Sequence, residues 1–427
     1  MTSSSARRAP WAICTALALT LVTTAACRDI TTLQQKDPSH LDAGTLFVPA
    51  NAQLLVNGAI SDFECAYVRY VVGSGILTDE LADAIAFTPS YDYDRRTIPP
   101  SADYGTNDCT SQQIPGIYTT LSVARASADT ILAKLEGWTD EEVANRTKLI
   151  GQSAAYAGYS LLLLGEGMCS AAINVGPEMT PEQLFTEAKS RFDKAITAAT
   201  AAEDATTLQF ALLGRARAFL DLGDVASAAT DAAEIPEGFM VAVNTDASDV
   251  RRQNLVYIHT IQAAFSSVDV SFRNVMWQGV ADPRVAATDL GVVGTDGHTE
   301  IWAPNKYSTI TDPMPIAKWE EAQLILAEAA VAGNDLSTAE DIINTLHSNA
   351  GIPAYDATGA TQEEVLAQVI EERRRELYLE GHRLGDLRRY DLPLVPAAGS
   401  PYVNGGTYGD QRCFPLPDVE RIHNPNL

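Results

Sequence analysis

The chain has 427 residues, 46% of them hydrophobic, and a formal charge of -25. That apolar fraction supports a large core, as two or three ordinary domains or one large helical one. The negative balance argues against nucleic acid and anionic membrane surfaces as partners, so any membrane attachment has to be covalent or inserted.

Arg7 and Arg8 precede an apolar run from Trp11 to Thr24. The run is too short to span a bilayer and has the length of a secretory signal. It ends Thr24-Ala25-Ala26-Cys27, which resembles a bacterial lipobox, with Thr24 where that pattern has leucine. The resemblance implies that residues 1–26 are a lipoprotein signal peptide and that Cys27 is lipidated. The alternative is plain cleavage after the alanine pair, with Cys27 free. With more than one acyl chain the anchor would be stable, since each buried methylene contributes about 0.8 kcal/mol. Apart from Cys14 and Cys27, the cysteines are Cys65, Cys109, Cys169 and Cys413. An even number in an exported chain suggests two disulfides, for which the sequence allows three pairings. The expected pairs are Cys65–Cys109, closing a tyrosine-rich loop, and Cys169–Cys413, tying the tail to the helical body. There is no CxxC, and so no zinc ribbon or thioredoxin-like centre is expected.

Residues 28–47 are polar and aperiodic and read as a spacer. Asn51 to Val72 has helical apolar spacing and is stopped by Gly73 and Gly75. Phe87 to Gln113 reads as a long loop carrying Tyr91, Tyr93 and Tyr104. Helices then dominate. One covers Ile114 to Leu135. Thr139 and Glu142 form a capping box that should open a second, running to about Leu164. Thr180-Pro181-Glu182-Gln183 opens a third. Thr206 to Leu222 pairs with Val225 to Ile235 across Gly223-Asp224, and Ile316 to Val331 pairs with Leu336 to Asn349 across Gly333-Asn334. These pairs resemble diverged tetratricopeptide (TPR) repeats, without the regular period. Between them, residues 251–315 are rich in loops, with one helical stretch from Gln253 to Phe265. Residues 391–427 form a Pro/Gly-rich tail.

Thr361 to Glu364 caps the helix that leads into Glu371–Tyr390, EERRRELYLEGHRLGDLRRY. Twelve of these twenty residues are Glu, Asp, Arg or His. Leu366, Ile370, Leu377, Leu384 and Leu387 still recur at helical spacing, so one face enters a core. Gly381 is placed to end the helix in the left-handed conformation. The order Glu372-Arg373-Arg374-x-Glu376-Leu377-x-x-Glu380-Gly381-His382-Arg383-x-x-Asp386-Leu387-Arg388-Arg389 resembles the C-terminal signature of the SusD/RagB family. These are nutrient-binding outer-membrane lipoproteins that work beside a TonB-dependent transporter. Asp282-Pro283-Arg284, Asn305-Lys306-Tyr307 and Cys413-Phe414-Pro415-Leu416-Pro417 resemble other words of that family, and the resemblance runs from the lipobox to the last residue. It implies a mostly α, SusD-like fold: a single domain over 27–427, with TPR-like pairs in 51–250 and 316–390 forming a scaffold, and loops and a few short strands packed on it. It also implies that Glu372, Arg373, Glu376, Glu380, His382, Arg383, Asp386 and Arg389 form a charge network pinning helices together.

No catalytic pattern is present: HExxH, GxSxG, SxxK, the Walker motif and GxGxxG are all absent. The glutamates of the signature are interleaved with arginines that would hold them ionised, whereas a general acid needs a raised pKa. The expectation is a binding protein with no enzyme activity, cofactor or metal. Exposed aromatics beside polar side chains suit sugar faces and hydroxyl edges, and the candidates are Tyr91, Tyr93, Trp277 and Trp302. The competing use of such rings is to cover the core. The resemblance implies capture of a glycan or peptide nutrient and its delivery to a SusC-like TonB-dependent partner at the cell surface. The alternative is a TPR-type envelope scaffold that binds a protein or peptide.

Overall fold

The computed structural model describes residues 43–427. Cys27, the leader and most of the 28–47 spacer lie outside the described residues. Pro49–Leu427 forms one compact unit, built mainly of helices. It opens with α1 (Ala52–Leu77), followed by α2 (Thr88–Asp94), α3 (Tyr118–Gly137), α4 (Arg146–Gly167), α5 (Pro181–Ala201), α6 (Ala205–Asp221) and α7 (Val225–Ala232). After the loop-rich middle come α8 (Trp319–Ala332), α9 (Leu336–Ala350), α10 (Gln362–Glu376), α11 (Arg383–Arg389) and α12 (Asp418–His423).

The helices pack because small residues let them approach. Gly158 on α4 and Gly214 on α6 both face the ring of Phe192 on α5, where any Cβ would lie within 2.6 Å of a ring carbon. Tyr159 stacks on Phe210 at 4.2 Å and meets Phe192 edge-on at 5.1 Å. The resulting core runs through α1 and α3–α8. The helix pairs turn as expected: Gly223 and Asn334 both take positive φ, and Asp224 and Asp335 cap the following helices.

Several boundaries move. The Thr139–Glu142 box forms, with backbone N–H to side-chain bonds of 2.8 and 3.3 Å, but no helix starts there. Asn145 sits in the left-handed region and α4 begins only at Arg146. The expected 87–113 loop contains α2 and a 3₁₀ turn at Asp103–Gly105. The expected helix from Gln253 is cut to Leu255–Tyr257 and a π turn, Ile258–Gln262. Ile316 belongs to a strand that precedes α8.

The strands are short antiparallel pairs. β1 (Leu81–Asp83) pairs with β5 (Ser266–Val268), and β4 (Met240–Ala242) with β10 (Pro315–Lys318). β2 (Ala171–Ala172) pairs with β3 (Glu178–Met179), and β6 (Met276–Trp277) with β7 (Val280–Ala281). The largest is the hairpin of β8 (Ala287–Val293) and β9 (Glu300–Pro304). Ser267 ties that hairpin to β5, its hydroxyl donating to Glu300 O at 2.7 Å and accepting from Trp302 N–H at 2.9 Å. Two disulfides close the unit, Cys65–Cys109 and Cys169–Cys413.

Candidate functional site

The charged signature is buried. Thr361 and Glu364 start α10 with reciprocal capping bonds of 3.2 and 2.8 Å. Val365 and Val369 are the fully buried apolar residues of this helix, whereas Leu366 and Ile370 are only half-buried. The core-facing stripe is therefore rotated by one position from the expected one. α10 also ends at Glu376, before Gly381. Leu379 and Gly381 both adopt positive φ in the turn that follows, and Glu80 accepts the Leu379 N–H at 2.7 Å.

From this segment ion pairs reach most of its neighbours. Glu372 is completely buried and accepts from Arg284 at 2.7 Å and from Gln368 at 2.6 Å, with His347 at 2.9 Å. Arg284 also holds Asp282 at 2.8 Å and Glu376 at 3.4 Å. Lys318 bridges Glu376 and Glu380, each at 3.1 Å, and Lys306 reaches Glu380 at 2.5 Å. Arg373 pairs with Asp386 at 2.9 Å, Arg383 with Asp79 at 2.6 Å, and Arg389 with Glu328 and Asp386. Deeper still, Arg217 and Glu166 form a bidentate pair with both contacts at 2.5 Å.

His382 is a correction. It sits among these charges, but its Nδ1 is 3.8 Å from Glu321 and has no hydrogen-bond partner. Burial, reinforced by Arg217, Arg373, Lys318 and Lys306, pushes it well below the ordinary histidine range, so it is neutral. It belongs to the network by position and not by charge. The sequence reading missed Arg284, Lys306 and Lys318 as partners, although the words containing Arg284 and Lys306 had been singled out.

The pKa pattern makes a pH prediction. Burial alone would raise Glu372, Glu376 and Asp386, but His347 and Arg284, Lys318 and Arg284, and Arg373 and Arg389 respectively outweigh it and hold all three low. Their stabilising contribution is present above the unfolded carboxylate range and is lost as pH falls through their folded values. Glu80 and Glu321 behave oppositely: burial raises each to about 7 from 4.5, so stability falls as pH climbs between those values. The melting temperature is expected to peak near pH 5 and to be lower at about pH 3 and about pH 8, as scanning calorimetry would show. A midpoint that keeps rising from pH 5 to 8 would contradict this assignment.

No carboxylate of the signature is placed as a proton donor, because each is neutralised by Arg or Lys. Among the described residues no group of three or more His, Cys, Asp or Glu could hold a metal.

The four candidate aromatics do not converge. Tyr93 is a correction: it is 1% exposed, donates to Pro115 O at 3.0 Å and packs edge-on against Phe414. Residues two apart on a helix point to roughly opposite sides, and of Tyr91 and Tyr93 it is Tyr93 that is turned inward. Trp277 is half-buried and committed internally, its indole N–H donating to Pro353 O at 2.8 Å and its ring meeting His347 edge-on. Tyr91 is half-buried, 6.0 Å from the ring of Tyr402. Trp302 lies on β9, opposite Asp289 in register and on the same strand face as Glu300. The Arg273 guanidinium lies 5.3 Å from its ring centroid and is anchored to Val268 O at 2.9 Å and to the Ser267 hydroxyl at 3.1 Å. The hairpin tip folds onto 84–86, where Thr295 accepts the Ala86 N–H at 3.0 Å, so Tyr91 on α2 flanks the tip of the hairpin that carries Trp302. Tyr408 meets Tyr402 edge-on at 5.1 Å, and nothing in the patterning of their loops marks Arg273, Tyr402 or Tyr408.

Residues 293–416 match the SusD family model. Similar solved structures include a SusD superfamily protein from Bacteroides vulgatus, with TM-score 0.70 and 15% identity over 89% of this chain and 98% of that one. Another, from Bacteroides fragilis, has TM-score 0.68 and 15% identity over 89% and 99%. A third is a SusD-like carbohydrate binding protein from Bacteroides vulgatus, with TM-score 0.66 and 16% identity over 89% and 97%. No curated protein matches the sequence. The family-model match covers the C-terminal segment, and the described chain shares its fold with these SusD-like structures.

Proposed function

We propose that this protein binds a glycan or similar oligomeric nutrient at the face formed by the β8–β9 hairpin and α2, and hands it to a TonB-dependent outer-membrane transporter without covalent chemistry. The observation that carries the reading is the grouping of Trp302, Arg273, Asp289 and Glu300 on one side of the hairpin. An aromatic ring with a donor and two acceptors beside it matches a sugar's apolar face and hydroxyl edge. Tyr91 would extend the face. Tyr93 and Trp277 are not part of it, because both are spent on internal contacts. A solved relative described as carbohydrate binding supports the ligand class.

Attachment would be through lipid on Cys27. Among the described residues no helix is long and apolar enough to cross a membrane. The transporter contact is assigned to the loop-rich middle, where Leu290, Val292 and Val293 on β8, with Val270, Met276 and Val280, expose apolar surface.

The test is a glycan and peptide screen on the form starting at Asp29, followed by Trp302→Ala. Binding is expected to weaken by about tenfold or more, with little change in melting temperature. Loss of binding and melting temperature together would give Trp302 a core role. Retention only of unrelated peptides or proteins would favour the TPR scaffold reading, for which the cavity of about 450 Å³ between α3 and α12 is the natural groove.

A further inference from the structure

β1, α2 and the C-terminal loop 397–409 meet at two carboxyl groups. Asp83 ends β1 and Asp94 ends α2, and they are 1% and 7% exposed. Every hydrogen bond they receive comes from a neutral donor. Asp83 accepts from the Ser90 hydroxyl and, at 3.4 Å, from the Ile85 N–H. Asp94 accepts from the Asp83 N–H at 2.9 Å and from the Tyr402 hydroxyl at 3.4 Å.

Among the described residues neither carboxyl forms a salt bridge. Asp83 faces Asp94 and, from the hairpin tip, Asp296. Asp94 faces Asp269 from the segment after β5, with Arg96 as the cation acting on it. Arg96 is itself engaged elsewhere, donating to Pro396 O and lying 4.8 Å from the Tyr408 ring centroid. It is 2% exposed and held at φ 58, a conformation that persists only where the surroundings enforce it. Further bonds tie the same layers: the Gly409 N–H donates to Arg95 O at 2.7 Å, and His298 meets Asn404 at 2.6 Å.

We propose that Asp83 and Asp94 are a proton-held latch that keeps α2 and the 397–409 loop on the body of the protein, so that this face is ordered in mildly acidic medium and loosens toward neutral pH. A protonated carboxyl is at home among neutral donors and like charges, and an ionised pair is not. Burial accordingly raises Asp83 to about 8 and Asp94 to about 7. When the latch opens, both groups meet water and return to ordinary carboxylate values. Opening therefore releases protons between the ordinary range and pH 7–8, and becomes more favourable by up to about tenfold per pH unit for each group before levelling off. The effect on nutrient binding rests on the preceding assignment of this face, because α2 carries Tyr91 and the loop carries Tyr402. The latch itself does not depend on it.

Hydrogen exchange of the ligand-free protein, corrected for intrinsic rates, tests the latch alone. In the wild type, opening of 88–96 and 397–409 should increase at least about tenfold from pH 5 to pH 8 and should stay well above the opening of α5, which follows unfolding of the whole core. Asp94→Asn and Asp83→Asn each keep the acceptor and cannot ionise, so each should flatten the rise. Equal wild-type opening at both pH values overturns the proposal, as does an undiminished rise in either variant that folds. The wild-type series decides alone if neither variant folds. A latch behaving as described, in a protein that binds no glycan, would leave this inference standing and remove the ligand assignment.

Discussion

Arg284→Ala is expected to lower the unfolding free energy by about 3–5 kcal/mol, the typical cost of stripping one partner from a buried ion pair. The guanidinium holds three carboxylates, of which Asp282 and Glu372 have side chains with no exposure and Glu376 has only 13%. Without it, two buried negative charges keep only hydrogen bonds and Arg375, which is 3.3 Å from Asp282. Arg284→Lys should fall between wild type and alanine, because a point charge cannot serve carboxylates on both sides as a planar fork does. Urea denaturation with an unchanged slope would measure the loss. A cost below about 1 kcal/mol would mean that the signature behaves like an exposed charged surface and not like a clasp.

The second large effect is expected from replacing Cys169 and Cys413 together by serine. The bond spans a sequence separation of 244, for which the chain-entropy account gives about 5 kcal/mol, against about 4 for the separation of 44 closed by Cys65–Cys109. The long bond also holds a structural joint. The Cys169 N–H donates to Phe414 O at 2.8 Å and the Phe414 N–H to Gly167 O at 2.9 Å. Phe414 in turn packs on Tyr93 and Tyr104. The double variant should therefore lose stability and also expose 397–427 to limited proteolysis under conditions where α4–α6 resist it. A destabilisation under about 1 kcal/mol, with the tail still protected, would show that packing alone holds the C-terminal segment.

What the sequence revealed depended on how local the signal was. Capping boxes at Thr180 and Thr361 mark helix starts because their bonds lie within four residues. The box at Thr139 misleads for the same reason: its bonds form, yet the left-handed Asn145 delays the helix. On α10 an apolar residue sits at both 365 and 366 and at both 369 and 370, so periodicity alone cannot say which stripe faces inward. Packing against α8 and α9 chose the valines. The partners of the signature are further away: Arg284 meets Glu372 across 88 residues and Lys306 meets Glu380 across 74. The fold sets those distances, and no local pattern states them. Which of the candidate aromatics are buried depends on orientation. Tyr91 and Tyr93 share a helix, and it is the side facing Phe414 and the Pro115 carbonyl that is buried.

The long disulfide also orders events during biogenesis. Cys65 and Cys109 are the first two of the four bonded cysteines to be made, so oxidation in order of appearance yields their native bond directly. Cys169 comes next and has no correct mate until another 244 residues have been delivered. Throughout that wait it is an unpaired thiol able to capture either earlier sulfur. A chain cut short between residues 169 and 413 would carry that thiol without its native mate, a chemical mark separating such unfinished molecules from complete ones.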